Sequence, residues 1–202
     1  AASDVYKRQV VDRTVKGEFE NYQTPEGEVP ATQLDIPWET CYSLYGWGWR
    51  KGATLKSSKK VLAVLIEVVA KGGNFLLGVG PKPDGTIEEQ AVDRVTTIGK
   101  WLDKNGEAIY ATVNARKYND GNVWFTQSKD GKKMYAMYAL KEDDPEVPAV
   151  IEWTGNIPAG KKVTLLSTGK RVKCEVDGDR VKVYLPKHVD RTESLAFSFG
   201  IK

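Results

Sequence analysis

The chain has 202 residues, of which 41% are hydrophobic and 28% are charged. This balance is typical of a globular protein with an ordinary core, and it excludes a disordered tail. No apolar run reaches the roughly 18 residues of a membrane-spanning helix. The formal net charge of +3 is too small and too dispersed to indicate a nucleic-acid partner.

Histidine and cysteine restrict the chemistry further. The single histidine, His188, excludes a two-histidine metal site, and Cys41 and Cys174 form no C-x-x-C motif. We therefore predict no metal site. The cysteines are either buried thiols or a long-range disulfide, and sequence leaves both open. Six tryptophans and nine tyrosines are many for this length, and they fit packed β-structure or sugar binding.

The first nine residues, AASDVYKRQ, have no periodicity and no signal-peptide core. The tract DVYKRQ is similar to a translated adapter remnant, so residues 1–9 are expected to be a non-native tail. On this interpretation the natural N-terminus and any targeting signal are missing.

Residues 10–112 follow an α/β pattern with predicted strands at 38–44 and 74–80. The second strand, NFLLGVG, is a continuous apolar run, typical of a parallel strand buried on both faces. About 100 residues hold roughly three βα steps. The segment is therefore either a small open sheet or the last third of a (β/α)8 barrel.

Two helices alternate with these strands. The first is predicted over 57–71 and ends at a Gly-Gly pair. The second is predicted to start at a capping box formed by Thr86 and Glu89 and to end at Asn105. Strands that alternate with helices in this way indicate parallel crossovers.

From residue 113 the periodicity changes to two. Short alternating segments separated by glycine turns predict an antiparallel β-sandwich over 113–202. The strand candidates are 122–128, 132–140, 150–153, 163–167, 171–176, 180–185 and 194–199. The acidic stretch EDDPEVP at 142–148 is predicted to be a surface loop.

Three blocks carry a family resemblance: PWETCYSLYGWGWR (37–50), KGGNFLLGVGPKPDGTI (71–87) and IGKWLDKNGEAIYAT (98–112). In order and spacing they closely resemble the end of the catalytic barrel of α-L-fucosidases, glycoside hydrolase family 29. That family carries a β-sandwich after its barrel. The resemblance implies a truncated (β/α)8 TIM-barrel segment at 10–112, followed by the antiparallel β-sandwich at 113–202.

The resemblance also implies a reaction. The family removes terminal α-L-fucose from glycans and glycoconjugates without a cofactor, by a retaining mechanism with a carboxylate nucleophile and a carboxyl acid/base. The nucleophilic aspartate belongs to an earlier strand, which would lie upstream of residue 1. The chain alone is therefore expected to be inactive, and to expose apolar edges where strands are missing.

The expected partner is a fucosylated glycan, with no nucleic acid and no membrane. Oligomeric state and compartment stay undetermined, although family members are often secreted, periplasmic or lysosomal.

The resemblance assigns the acid/base role to Glu26, in the segment Asn-Tyr-Gln-Thr-Pro-Glu, with Glu28 as second choice. The role needs a carboxyl whose pKa is raised by burial or by a charged partner. The alternative interpretation is a solvated loop glutamate.

The resemblance assigns substrate binding to Arg13 and Trp47. Arg13 stands in Val-Asp-Arg, where the family has Asn-Asp-Arg, and would keep the nucleophile ionised; a surface ion pair is the alternative. Trp47, between two glycines, would pack near the C6 methyl of fucose, and core packing is the alternative. Trp38 is predicted to lie in the core, and Glu39 to orient the barrel floor or a loop.

Two other classes of function stay open. One is a non-catalytic carbohydrate-binding module that uses exposed tryptophans of the sandwich, and the other is a structural interaction domain without a ligand. The remaining tryptophans are more simply predicted to pack, and His188 to lie at the surface. These tryptophans are Trp101, Trp124 and Trp153.

Overall fold

The computed structural model of this chain describes residues 21–200. The predicted tail and Arg13 lie outside the described residues. From residue 21 onwards the chain forms a short parallel sheet with two helices, and then a long antiparallel sheet.

The parallel sheet consists of β1 (Glu39–Ser43) and β2 (Asn74–Gly78). The chain before β1 extends this sheet, because Gln23 forms a parallel bridge with Trp38 and Glu26 forms one with Cys41. Three extended segments therefore run side by side in one direction. The predicted strands at 38–44 and 74–80 are confirmed with slightly shorter bounds.

Helix α1 (Ser58–Ala70) connects β1 to β2, close to the predicted range. Its N-cap is Ser57, whose hydroxyl accepts a hydrogen bond from the Lys60 amide at 3.1 Å. Beyond its end, Gly72 adopts a φ of 80°, a conformation that favours glycine.

Helix α2 (Glu89–Asn105) follows β2 and ends where the sequence predicts. The predicted capping box at its start is wrong, because the N-cap is Glu88 and no side chain caps the helix. Thr86 is engaged elsewhere: its amide and its hydroxyl both donate to Asp84 Oδ1, at 2.9 and 2.7 Å. A turn centred on Asp84 thus takes the hydroxyl that a capping box needs.

The prediction that β2 is buried on both faces is also wrong. Phe75 and Leu77 are partly buried against the helices, whereas Leu76 is 51% exposed on the opposite face. An apolar run is compatible with both arrangements, since it contains no polar residue that marks an open face. Within residues 21–200 the helices cover one face of this sheet, and the other face is open.

The antiparallel sheet contains every predicted strand of this part of the chain and one more. In spatial order it runs β3-β4-β5-β10-β7-β8-β9-β6. The strands are β3 (Thr112–Asp120), β4 (Val123–Ser128), β5 (Lys133–Tyr138), β6 (Val150–Thr154), β7 (Val163–Leu165), β8 (Lys170–Asp177), β9 (Arg180–Tyr184) and β10 (Leu195–Gly200). The strand that sequence analysis missed is β3.

The expected sandwich takes the form of one continuous eight-stranded sheet. The first residues of β8 pair with β7 and the following ones pair with β9, so β8 joins its two neighbours into one hydrogen-bonded sheet. The two edge strands meet again, because Asp120 Oδ2 in β3 accepts from the Thr154 amide in β6 at 2.6 Å. The nearly closed sheet encloses a core that includes Phe125, Trp153 and Phe199.

A second core joins the helices to the outside of this sheet. Leu62, Ile66 and Trp101 of the helices pack with Tyr135 and Met137 of β5. The Trp101 indole Nε1 also donates to the Ser194 carbonyl at 2.6 Å. The two halves of the described structure therefore share buried surface.

Several single-residue predictions can be compared with the structure. Trp38, Trp101 and Trp153 are buried, and His188 is exposed, all as predicted. Cys41 and Cys174 form no disulfide with each other, so that alternative is wrong. Residues 21–200 contain no helix that is long and apolar enough to cross a membrane.

Candidate functional site

An open cleft of about 690 Å³ lies at the carboxyl end of the parallel segments. It brings together two of the residues that the resemblance selects, Glu26 and Trp47. Its other lining residues are Gly27, Cys41, Tyr42, Ser43, Tyr45, Gly46, Gly48, Lys56, Lys60, Leu76 and Gly78. Loops at the carboxyl ends of parallel strands are the usual place for a binding site in α/β proteins.

Glu26 ends the extended segment beside β1 and is exposed. The backbone holds it on both sides: the Cys41 amide donates to the Pro25 carbonyl at 3.1 Å, and the Gly27 amide donates to the Cys41 carbonyl at 2.8 Å. Glu28, the second choice, is also exposed but does not line the cleft.

Glu26 shares a row of the sheet with two other lining residues. It is the bridge partner of Cys41, which is in turn the register partner of Leu76. Directly paired residues of parallel strands point to the same face. The carboxylate, the thiol and the leucine therefore lie across one floor, which combines a proton carrier with apolar surface.

Trp47 lies in the loop after β1 and is 88% exposed, so the core-packing alternative is wrong. The loop passes so close to the chain after β2 that a Cβ on Gly80 would lie 2.4 Å from the Trp49 amide nitrogen. Gly80 is thus required by the path of the loop. Glu39 opens β1 at the end of the strand away from the cleft and is not part of its lining.

Lys56 fastens the start of this loop, a role that sequence analysis missed. Its Nζ donates to the carbonyls of Ser43 and Tyr45, at 2.5 and 2.9 Å, and lies 4.7 Å from the centre of the Tyr42 ring. Burial lowers the pKa of Lys56, and the charge of nearby Lys60 lowers it further.

The cleft lining combines an exposed aromatic ring with a carboxylate. Residues 21–200 contain no cluster of three or more histidine, cysteine or acidic residues that could hold a metal ion. An exposed indole offers a flat apolar surface, and a carboxylate can exchange a proton with a hydroxyl or a glycosidic oxygen. The cleft therefore offers both a surface for apolar contact and a group that can transfer a proton.

The known proteins that this sequence resembles are named alpha-L-fucosidases. The family model described as Alpha-L-fucosidase matches residues 2–107. Tissue alpha-L-fucosidase of Bos taurus is 33% identical over 181 residues, which are 86% of this chain and 38% of the relative. The chain thus spans well under half the length of that relative.

Solved structures give the same result. Alpha-L-fucosidase isoenzyme 1 from Paenibacillus thiaminolyticus matches with a TM-score of 0.77 and 26% identity, over 91% of this chain and 46% of that one. The Thermotoga maritima alpha-fucosidase in complex with fucose matches with a TM-score of 0.74 and 25% identity, over 98% and 46%.

Proposed function

Because this chain belongs to the α-L-fucosidase family, we propose that it provides the acid/base side of an active site that hydrolyses terminal α-L-fucosyl linkages of glycans. The observation that carries the proposal is that Glu26 and Trp47 line one cleft. No cofactor enters the proposed reaction.

The proposed mechanism retains the configuration at the anomeric carbon. Glu26 donates a proton to the glycosidic oxygen while a carboxylate attacks the anomeric carbon, so that the bond to the leaving group breaks and a glycosyl ester forms. Glu26 then takes a proton from water, whose oxygen attacks the anomeric carbon and displaces the aspartate carboxylate. The attacking aspartate would come from a strand upstream of residue 1, and Arg13 would keep it ionised.

Trp47 has a separate role in the proposal. L-Fucose carries a methyl group at C6, where L-galactose carries a hydroxymethyl group. An indole packed against that methyl group favours fucose, because the hydroxyl of galactose would lose water without gaining a partner. The cleft is therefore expected to bind L-fucose more tightly than L-galactose.

The three parallel segments and two helices support a barrel origin. We propose that the segment ending at Glu26, β1 and β2 are the last strands of a (β/α)8 barrel, with 10–112 as its C-terminal portion and 113–202 as the β-sandwich. The open face that carries Leu76 is then the face that points into the barrel.

Binding of L-fucose to the chain, followed by NMR, tests the proposal. We expect saturable binding that Trp47→Ala weakens about tenfold or more and Glu26→Gln leaves measurable. Tyr110→Ala is the matched control, because Tyr110 is 63% exposed but does not line the cleft. Absence of L-fucose binding, or equal loss in both aromatic variants, would contradict the proposal.

Hydrolysis gives a second test. We expect no release of 4-nitrophenol from 4-nitrophenyl α-L-fucoside by the chain alone, because the proposed reaction needs two carboxyl groups. Measurable release that Glu26→Gln abolishes would disprove the proposed division of the active site.

Fucose binding and melting temperature together distinguish the other two functions, a carbohydrate-binding module and a structural domain. Trp153 is buried, and Trp124 is partly buried and contacts the Tyr118 ring and the Lys71 ammonium, so neither is an exposed platform for a sugar. Fucose binding that survives loss of both Glu26 and Trp47 would favour a binding module on the antiparallel sheet. No sugar-dependent change in melting temperature would favour a structural domain.

A further inference from the structure

We propose that Thr40 is a positioning residue for Glu26: its hydroxyl holds the backbone just after the carboxylate by donating to the Glu28 carbonyl. The inference rests on the proposed function for the role of Glu26, but its structural part stands on hydrogen bonds alone. Thr40 lies in the block 37–50 that carries the family resemblance, but the sequence analysis assigns it no role.

Thr40 is a fully buried polar residue, the second of the five residues of β1. Its Oγ1 lies 2.6 Å from the Glu28 carbonyl and 3.4 Å from the Pro25 carbonyl. A hydroxyl has one proton to donate, so the short contact is the hydrogen bond and the long one is a second acceptor within reach. These two carbonyls flank Glu26 in the chain.

The strand places Thr40 behind the residue that it supports. Side chains alternate along a strand, so Thr40 points to the helix side of the sheet while Cys41 points to the cleft. The hydroxyl therefore holds the Glu26 loop from behind and leaves the cleft open in front. A valine in its place would leave a carbonyl without its donor.

A second set of contacts fixes the rest of the same loop. The buried Lys71 donates from Nζ to the Pro30 carbonyl at 2.7 Å and to Glu67 Oε1 at 2.6 Å. Gln33 Nε2 donates to the carbonyls of Ala70 and Ala115, both at 3.3 Å. Thr40 adds a side-chain hydrogen bond at residue 28, between these contacts and the backbone hydrogen bonds of Pro25 and Gly27.

The predicted consequence is precise placement of the carboxyl group. A proton donor must lie within hydrogen-bond distance of the glycosidic oxygen, and a displacement of about 1 Å can cost two orders of magnitude in rate. Thr40 never touches the sugar in this proposal and acts only through the backbone of residues 25–28.

The test compares Thr40→Val with Thr40→Ser in the whole chain. Valine keeps the shape and removes the hydroxyl, whereas serine keeps the hydroxyl. In Thr40→Val we expect the Gly27 and Cys41 amides to exchange about fivefold to tenfold faster, as loss of one hydrogen bond implies. We also expect the carboxyl carbon resonance of Glu26 to move and the affinity for L-fucose to fall, with Thr40→Ser restoring all three.

Thr126→Val is the matched control. Thr126 is also fully buried, and its Oγ1 donates to the Ala108 carbonyl at 2.7 Å, away from the cleft. It should leave the Glu26 resonance and the Gly27 amide unchanged. If Thr40→Val does not fold, Thr40→Ala against Thr40→Ser gives the same comparison.

The outcomes separate the two proposals. Wild-type exchange at Gly27 and an unmoved Glu26 resonance in Thr40→Val would overturn the positioning role, whether or not fucose binds. Equal effects of Thr126→Val would overturn it too. If the unsubstituted chain does not bind fucose, the proposed function fails, while amide exchange still decides whether Thr40 holds the loop.

Discussion

Glu26 and Cys41 form a parallel bridge, so a carboxylate and a thiol stand side by side on the floor of one cleft. The cysteine therefore reports on whatever occupies the space above the glutamate. Occupancy of the cleft can therefore be measured by labelling the thiol, without any catalytic activity.

We expect saturating L-fucose to slow alkylation of Cys41 by a small thiol reagent severalfold, because a bound sugar covers the thiol. Cys174 is the internal control, since it lies in β8 and does not line the cleft. The rates are measured by mass spectrometry of the two peptides. Equal protection of both cysteines, or of neither, would argue against a sugar in this cleft.

Gly80 is expected to tolerate no side chain. Gly80→Ala would place a carbon 2.4 Å from the Trp49 amide nitrogen, so we expect a loss of about 1–3 kcal/mol in the free energy of unfolding and weaker L-fucose binding. Gly99→Ala is the control, because Gly99 lies in α2 with open space around it. That change should stabilise the chain by about 0.5–1 kcal/mol. Chemical denaturation measures both values.

The edge-to-edge contact of the antiparallel sheet predicts sensitivity to acid. The hydroxyl of Thr154 donates to Asp120 at 2.7 Å, and with the Thr154 amide and Lys117 it lowers the pKa of Asp120 to about 2. Because folding lowers its pKa, ionised Asp120 stabilises the fold at pH values above the ordinary pKa of 3.8. This stabilisation is lost as the pH falls from about 4 to about 2.

Asp120→Asn should therefore cost about 1–2 kcal/mol at pH 7, after allowance for partial exposure, and almost nothing near pH 2. Asp143→Asn, at an exposed position in the 142–148 loop, should change stability little at either pH. The measurement is the free energy of unfolding in urea as a function of pH. A constant difference between Asp120→Asn and the unsubstituted chain would contradict the assignment.

Glu107, just after the end of α2, connects the chain to the antiparallel sheet. Glu107 Oε1 accepts from Lys133 Nζ at 2.7 Å and from the Tyr135 hydroxyl at 3.0 Å. The hydrogen bond from Lys133 is the main cause that lowers the pKa of Glu107, whereas burial is the main cause that raises the pKa of Tyr135.

We expect Glu107→Gln and Tyr135→Phe each to destabilise the chain by about 1 kcal/mol, and less than additively together. A double-mutant cycle by thermal or urea unfolding measures their coupling energy. Strict additivity would mean that the two groups do not interact in solution.

Most strands of the antiparallel sheet could be predicted because alternation and glycine turns are local signals. β3 could not: its sequence TVNARKYND has no clean alternation, and its pairing with β4 shifts register between Asn114 and Asn119. That irregularity is stabilised by neighbouring strands, which a local pattern does not contain.

The candidate site divides in the same way. Glu26 and Trp47 were selected from motifs, and both line the cleft. Thr40 and Lys56 were not, because they act by donating to backbone carbonyls. Carbonyls are present at every residue, so such contacts leave no signature in a sequence.

Helix α1 packs against β2 on one side and against β3 and β4 on the other. Its Val61 lies in the core under the cleft, while Leu62 and Ile66 lie in the core shared with β5. Cutting the chain at residue 111 would remove the strands that pack on one side of this helix. The loops that carry Glu26 and Trp47 would then lose support. The C-terminal half, which lends no side chain to the cleft within residues 21–200, thus stabilises the half that lines the cleft, and we expect the two halves to unfold in a single transition.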